Sequence, residues 1–188
     1  VKQNGYRFDI SDELIEFEPL DERTVKKSIT VTASAAGWSC DKVEDFTVSK
    51  ENNTEIEISV KGKYYDTSAP KTKELTITSE HGHKKTVTLK QKPYVFSVSD
   101  FIDKSVDNKE QKITFDNLQC TGELTATVES GQSWLTVETK PTNGQLVLKV
   151  EANTAKGAAK RSAKVTLSSQ HVAFNAGLSK EIVITQEK

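Results

Sequence analysis

Apolar and polar residues alternate with a period of two along most of this 188-residue chain. Alternation of this kind is typical of strands that bury one face of a sheet and expose the other. Val, Ile and Thr fill the alternating runs, and β-branched residues suit the surface of a pleated sheet. The pattern therefore predicts an all-β fold. The inward-facing sets are Ile29-Val31-Ala33, Ile56-Ile58-Val60, Leu75-Ile77, Val87-Leu89, Ile113-Phe115, Leu124-Ala126-Val128, Leu146-Leu148-Val150, Ala163-Val165-Leu167 and Ile182-Ile184.

The succession of strands occurs twice. The segment FDISD, which begins at Phe8, matches FSVSD, which begins at Phe96, 88 residues later. The segment LTITS from Leu75 matches VTLSS from Val165, 90 residues later. Self-similarity at a fixed period indicates that one structural unit is repeated. The sequence therefore predicts two similar domains in tandem.

The second copy is longer than the first near its end. The closing strands end at Gln91 and Gln186, which are 95 residues apart, and the extra residues fall between Gln170 and Ser179. An insertion in a hairpin loop adds little closure entropy and leaves the buried faces in register. We therefore expect a longer loop at this point of the second domain.

Pro93 marks the boundary between the copies, because it lacks an amide hydrogen and restricts the preceding residue to an extended shape. The predicted domains are residues 1–92 and residues 93–188. The number and spacing of the short strands in each half favour an immunoglobulin-like β-sandwich. A closed β-barrel is the alternative. The predicted fold is thus two tandem immunoglobulin-like β-sandwich domains.

Charge and hydropathy exclude several classes of partner. The chain has 26 basic and 27 acidic residues, interspersed along most segments, and a formal net charge of -1. A nucleic-acid-binding protein usually concentrates basic residues on one face, so no nucleic acid is expected. No run approaches the roughly 18 apolar residues of a membrane span. The chain begins at Val1 and contains no Met, which suggests a mature or trimmed piece of a longer protein.

The densest group of acidic residues lies between Asp12 and Glu22. A glycosidase needs two carboxylates on either side of the scissile bond, in a cleft. On a strand and turn, however, an acidic segment is more often a solvated edge that prevents unwanted strand pairing. No loop concentrates an acid, a base and a nucleophile, so we expect no catalytic residues and no enzyme activity.

Histidine and cysteine supply the remaining candidates for chemistry. His81 and His83 could share a metal ion, but a metal site needs further ligands, and a solvated hairpin tip is the favoured interpretation. We therefore predict no metal site and no cofactor.

Cys40 and Cys120 lie 80 residues apart, which differs from the offset of the repeat. Each is expected to be a small buried apolar residue, because one thiol per domain cannot form a disulfide between its two sheets.

Several of these segments together resemble a known family. In the second half they are WLTV from Trp134, LVLKVEAN from Leu146 and IVITQ from Ile182; the first half has Trp38 and a closing TLKQ. Each half resembles a BACON domain, the Bacteroidetes-associated, often N-terminal, carbohydrate-binding module of immunoglobulin-like fold.

Members of that family often carry two tryptophans, one ahead of the WLTV-like strand and one within it. Aligned in this way, Trp38 corresponds to Ala126, and Phe46 corresponds to Trp134. Both indoles are expected to fill the space between the sheets rather than to stack on a ligand.

The resemblance implies carbohydrate recognition, which requires an exposed aromatic ring with polar side chains around it. The candidates are Tyr64, Tyr65 and Asp66, in the loop after the strand that ends at Val60. The equivalent segment of the second half, Asn153 to Lys156, has no ring. In a purely structural interpretation, one tyrosine fills the end of the sandwich and the other packs on the neighbouring domain.

Three functions are compatible with this reading: carbohydrate or mucin binding, a spacer that holds another domain away from the cell, and adhesion or binding of a protein partner. The resemblance implies a non-catalytic module of a Bacteroidetes-type exported protein, at the cell surface as a lipoprotein or in the periplasm. The expected partners are a glycan or mucin and other domains of a longer surface protein, and the chain is expected to be a monomer.

Overall fold

The structure, a computed structural model, describes residues 6–34, 37–142 and 144–188. Asn143 lies outside the described residues, as do the first residues of the predicted first domain. The chain divides into two compact units, Val1–Tyr94 and Val95–Lys188. Strands and two short 3-10 turns are the regular elements of the described residues. An all-β fold is thus confirmed.

The described residues of unit 1 form eight strands in two four-stranded sheets, and the alternating runs predicted from the sequence lie in its longest strands. The strands are β1 (Phe8–Ile10), β2 (Leu14–Phe17), β3 (Lys26–Ala33), β4 (Trp38–Cys40), β5 (Phe46–Lys50), β6 (Glu55–Val60), β7 (Lys71–Ser79) and β8 (Lys84–Gln91).

The two sheets of unit 1 have the strand orders β1-β3-β6-β5 and β2-β8-β7-β4. All pairs are antiparallel except β2 with β8, which run parallel from Leu14 opposite Thr88 to Phe17 opposite Gln91. One apolar core contains buried residues of both sheets, such as Ile58 and Leu89, both fully buried. The sheets therefore form a sandwich rather than the alternative closed barrel.

In the part of unit 2 that the structure describes, nine strands have a similar arrangement. They are β9 (Phe96–Ser97), β10 (Lys104–Val106), β11 (Gln111–Phe115), β12 (Gln119–Cys120), β13 (Leu124–Val128), β14 (Leu135–Thr142), β15 (Gln145–Val150), β16 (Arg161–Ser169) and β17 (Ser179–Gln186).

One sheet of unit 2 has the order β10-β17-β16-β13, and β10 runs parallel to β17 as β2 does to β8. The other face consists of β11-β15-β14 and the short pair β12-β9. Asn117, at φ 58°, lies between β11 and β12 and interrupts what is one continuous strand, β3, in unit 1. Asn tolerates this left-handed conformation better than most residues.

The loop predicted to be longer in unit 2 contains the two 3-10 turns, Val172–Phe174 and Ala176–Leu178. The Asn175 side chain accepts a hydrogen bond from the backbone of Gly177, and Leu178 is fully buried. The hydrogen bond is internal to the loop, and the burial of Leu178 holds the loop against the rest of the unit. Phe174, by contrast, is 74% exposed.

Each unit has two ends, a hairpin end and a loop end. The hairpin end is the end at which β5 turns into β6 in unit 1, and β14 into β15 in unit 2. The loop end is the opposite end, where residues 61–70 and residues 151–160 connect the two sheets.

Candidate functional site

Trp38 closes the hairpin end of unit 1. Its side chain is 6% exposed, and its indole Nε1 donates a hydrogen bond of 2.7 Å to the Asn53 carbonyl. The Lys50 Nζ lies 3.9 Å from the ring centroid and donates to the Trp38 carbonyl at 2.9 Å. The indole thus spans from one sheet to the other with its polar atom satisfied, and its predicted core position is confirmed.

Trp134 closes the loop end of unit 2 and is also 6% exposed. Its Nε1 donates to Gln132 Oε1 at 2.8 Å, and the Arg161 guanidinium carbon lies 4.6 Å from the ring centroid. Arg161 donates further hydrogen bonds to the Gln186 side chain and the Glu151 carbonyl. The guanidinium therefore covers the indole and joins three segments of the loop end.

The strand registers correct the predicted correspondence of these tryptophans. Trp38 lies opposite Ser79, and Leu124 lies opposite the equivalent Ser169. The counterpart of Trp38 is therefore Leu124, not Ala126. The difference arises because the segment that leads into this strand is two residues shorter in the second copy, relative to the initial offset of 88.

Tyr64, the first candidate for carbohydrate binding, closes the loop end of unit 1. It is half-buried, its hydroxyl donates to the Ala69 carbonyl at 3.1 Å, and its amide donates to the Pro19 carbonyl. The Lys71 Nζ lies 4.7 Å from the ring centroid. Lys71 is the counterpart of Arg161, and it also forms an ion pair with Asp45 at 3.5 Å. Tyr64 under Lys71 thus closes this end as Trp134 under Arg161 closes the loop end of unit 2, although the two rings come from different segments. Phe46 lies opposite Val60 and Leu135 lies opposite the equivalent Val150, so the counterpart of Phe46 is Leu135, not Trp134.

Tyr65 is half-buried as well, and its ring is tilted by 47° against that of Tyr94 at a centroid distance of 5.7 Å. Tyr94 is fully buried and belongs to unit 1. The Tyr94 amide donates to the Asp66 carbonyl, which holds the Tyr64–Asp66 segment against the chain that leaves unit 1. Both candidate rings are therefore held in fixed positions.

Asp66 is exposed and organises the loop. Its Oδ1 accepts hydrogen bonds from both the side chain and the amide of Ser68, and these bonds lower the pKa of the carboxyl group. Partial burial, followed by the nearby negative charge of Asp66, raises the pKa of the Tyr64 hydroxyl. At neutral pH the loop therefore presents an ionised carboxylate beside a neutral phenol.

A buried glutamine at the end of the closing strand stabilises each loop end. Gln91 is 1% exposed and its Nε2 lies 3.1 Å from the Gly62 carbonyl and 3.4 Å from the Pro19 carbonyl. Gln186 is fully buried and its Nε2 donates to the carbonyls of Lys109 and Glu151. The closing residue of the repeated segment therefore has the same structural role in both units.

His81 and His83 are exposed, as expected for a hairpin tip, but both contact Tyr6. The Tyr6 ring stacks on His83 at 5.2 Å and meets His81 edge-on at 4.7 Å. Among the described residues, no group of three or more His, Cys, Asp or Glu side chains converges as a metal site.

Cys40 and Cys120 form no disulfide. Both are half-buried and pack against the edges of their cores, so they are less buried than the sequence suggested. Burial raises the pKa of the Cys40 thiol.

The acidic segment between Asp12 and Glu22 contains the edge strand β2, as predicted, with Phe17 fully buried.

This architecture is an immunoglobulin-like β-sandwich, present in each unit. A family model described as "BACON: Putative binding domain, N-terminal" matches residues 124–187, within unit 2. No curated protein matches the sequence significantly. None of the described residues belongs to a helix long and apolar enough to cross a membrane.

Solved structures of low sequence identity resemble this chain, and the first of them, with a TM-score above 0.5, shares the fold. The I9-I11 tandem of titin is 9% identical, with a TM-score of 0.54, and the match covers 97% of this chain and 65% of that chain. Cadherin domains 1–4 of protocadherin gamma B7 are 11% identical, with a TM-score of 0.45 over 97% of this chain and 50% of that chain. An endo-fucoidan hydrolase of glycoside hydrolase family 107 is 12% identical, with a TM-score of 0.37 over 94% of this chain and 28% of that chain. This chain thus spans less than two thirds of each of these proteins.

Proposed function

We propose that this chain is a non-catalytic binding module of an exported surface protein, and that it contacts glycan or mucin through the loop end of unit 1. The match of residues 124–187 to a binding-domain family supports a binding role. The Lys71 ammonium group covers one face of the Tyr64 ring, so the exposed Asp66 carboxylate beside the partly exposed rings of Tyr64 and Tyr65 is the observation that carries the glycan assignment.

Sugar recognition depends on an aromatic face for the C–H groups and on polar groups around it for the hydroxyls. At this loop end, Asp66 supplies an ionised acceptor and Lys71 supplies donors. The hydrogen bonds of the loop hold these groups in place before a ligand arrives, which reduces the entropy lost on binding. The loop is therefore suited to weak contact with a neutral glycan.

A glycan array probed with the full chain tests this proposal. We expect signals on a restricted set of glycans, reduced at least tenfold by a double substitution of Tyr64→Ala and Tyr65→Ala. Tyr64→Phe retains the ring and should bind within about fivefold of the wild type, since one hydroxyl hydrogen bond contributes about 1 kcal/mol. Tyr6→Ala is the matched control, because it removes a half-buried tyrosine from the opposite end of unit 1.

Glycan signals that survive the double substitution would contradict the assignment of the site. Complete absence of glycan binding, with an intact fold, would favour the second candidate function, a passive spacer. The repeated buried glutamines and the two separate apolar cores support that function, because they make each unit stable without using a binding loop. Binding to a protein partner is the adhesion alternative.

Export is part of the same proposal. The module would belong to a longer Bacteroidetes-type protein, at the cell surface as a lipoprotein or in the periplasm, and would act there as a monomer. Fractionation of cells that express the full-length gene, followed by detection of this chain in the outer-membrane, periplasmic and cytoplasmic fractions, tests the location. Recovery in the cytoplasmic fraction alone would contradict it.

A further inference from the structure

The two sandwiches differ at one edge strand. β13 (Leu124–Val128) lies at the edge of its sheet and, among the described strands, pairs only with β16. Its counterpart in unit 1 is β4 (Trp38–Cys40), at the edge of its sheet beside β7. An edge strand presents unpaired backbone donors and acceptors, and a further strand can add to them unless charges, bulges or a covering group prevent it.

The register determines which backbone groups of β13 face the open side. The Gln170 amide donates to the Glu123 carbonyl, and the Glu129 amide donates to the Lys164 carbonyl. Hydrogen-bonded pairs alternate along an antiparallel ladder, so every second residue from Glu123 to Glu129 bonds to β16. The backbone groups of the intervening residues therefore point away from β16. These residues are Leu124, Ala126 and Val128.

In unit 1 the same edge is obstructed. The Trp38 carbonyl points away from β7 by the same alternation, and it accepts a hydrogen bond of 2.9 Å from the Lys50 Nζ. Counted along the chain from Trp38 and its counterpart, an exposed Lys42 then stands where unit 2 has Val128. Lysine side chains at an edge hinder the addition of a strand. Two lysines thus protect the β4 edge.

β13 is a longer and uncharged edge, with five residues against the three of β4. The neighbouring edge strand β14 has register shifts on both sides of Thr139, and such bulges blunt an edge. β13 pairs with β16 without a shift. Ala126, Val128 and Val137 pack against the core but are only half-buried. An added strand can therefore hydrogen-bond to β13 and place apolar side chains over these three residues.

We propose that β13 binds an extended segment of a polypeptide partner, which adds to the sheet as a further antiparallel strand. The residues of this segment that lie opposite Leu124, Ala126 and Val128 are apolar and face the core. Glu123 and Glu129 are exposed on the solvent face of the strand, and a lysine or arginine opposite each completes the match. The partner thus alternates apolar and polar residues between two basic ones.

A second copy of β13 is a poorer partner. In the antiparallel register that pairs all five residues of both copies, Glu123 of each copy lies opposite Glu129 of the other. Like charges directly opposite each other destabilise a pair of strands. Because β13 belongs to unit 2 and the Tyr64 loop belongs to unit 1, this proposal is independent of the proposed glycan function.

The probe for the test is the capped peptide Lys-Val-Thr-Val-Thr-Val-Lys, added to the full chain labelled for NMR. It should shift the amide resonances of residues 123–129. N-methylation of its central valine removes the donor that faces the Ala126 carbonyl and should weaken the binding about tenfold or more. N-methylation of a threonine, whose amide points away from β13, is the matched control and should leave the binding nearly unchanged. Glu in place of both lysines should weaken the binding.

A variant of the protein tests the same edge. Val128→Lys gives unit 2 the charge that Lys42 supplies in unit 1, and it should weaken the binding of the peptide about tenfold or more. Val48→Lys is the matched control, because Val48 is a half-buried valine on the edge strand β5 of unit 1. It should leave the binding unchanged. If Val128→Lys does not fold, the two N-methylated peptides test the proposal on the wild-type chain.

Absence of shifts at millimolar peptide would overturn the proposal, as would equal binding of the two N-methylated peptides. Light scattering of the full chain at several concentrations tests the second-copy alternative. A concentration-dependent dimer that Val128→Lys abolishes would overturn the proposal, because the occupant of the edge would then be a second copy of this chain.

Discussion

The buried glutamines Gln91 and Gln186 show how a single polar side chain can stabilise a loop end. Gln91→Ala leaves the carbonyls of Gly62 and Pro19 without their donor inside the protein. The expected loss is about 1–3 kcal/mol of unfolding free energy, the usual result of leaving buried polar groups unsatisfied. Chemical denaturation measures it. Gln170→Ala, at an exposed glutamine, should change the stability by less than about 0.5 kcal/mol. Equal effects of the two substitutions would contradict the structural role of Gln91.

Cys40 permits a second test at the residue scale. Burial raises the pKa of its thiol, and the thiolate is the reactive form, so Cys40 should react slowly with iodoacetamide at neutral pH. Mass spectrometry of tryptic peptides after timed alkylation measures the rate. Unfolding in guanidinium chloride should accelerate the reaction at Cys40. A rate in the folded protein equal to that in the unfolded protein would contradict the burial of this side chain.

At the scale of the elements, the parallel strand β2 carries a carboxylate, that of Glu16, whose charge depends on pH. Glu16 lies opposite Lys90 on β8 and forms an ion pair with it at 2.8 Å, which lowers the pKa of the Glu16 carboxyl group. Because the folded pKa lies below the unfolded value, the pair stabilises the fold above the unfolded pKa. The contribution disappears as the pH falls through the folded pKa.

We therefore expect Glu16→Gln to lower the stability slightly at pH 7 and to have no effect near pH 2. Urea denaturation at both values measures the difference. The exposure of both side chains keeps the effect small, and 1 M salt should reduce it further. A larger difference at pH 2 than at pH 7 would contradict the assigned direction of the pKa shift.

The alternating pattern predicted the long strands, because burial of one face determines which residues can occupy them. It did not predict that β2 and β10 pair in parallel with the closing strands, since three or four residues carry little pattern and the partner is distant in sequence. Tyr64 was recognisable as a candidate from its loop. The position of a cation above its ring could not be predicted, because Lys71 begins the next strand and its sequence context is that of an ordinary surface lysine.

The correspondence of Leu124 to Trp38 was also missed. The alignment of the two halves paired Trp38 with Ala126, and therefore concealed that leucine replaces tryptophan at this position. An alignment of the two halves that allows for loops of unequal length would have placed Leu124 at the position of Trp38. Alternation of apolar residues predicts which side chains point inward, but it does not predict whether their volumes fill the space between the sheets.

For the whole molecule, the two separate cores predict that each unit folds alone. Each core consists of buried residues from its own unit, and the chain divides between Tyr94 and Val95. Fragments of residues 1–94 and 95–188 should each give dispersed NMR spectra and cooperative thermal unfolding. A domain of this size is marginally stable, so each fragment should unfold at a moderate temperature. A disordered fragment would contradict the independence of the cores.

The parallel pairs β2–β8 and β10–β17 determine how each unit responds to tension. In each pair, the earlier strand lies near the start of its unit and the later strand lies at the end. Force applied through the two chain termini of a unit therefore acts along the strands, and the interstrand hydrogen bonds share the load instead of breaking one after another. Each unit is therefore expected to resist unfolding when it is pulled in this direction.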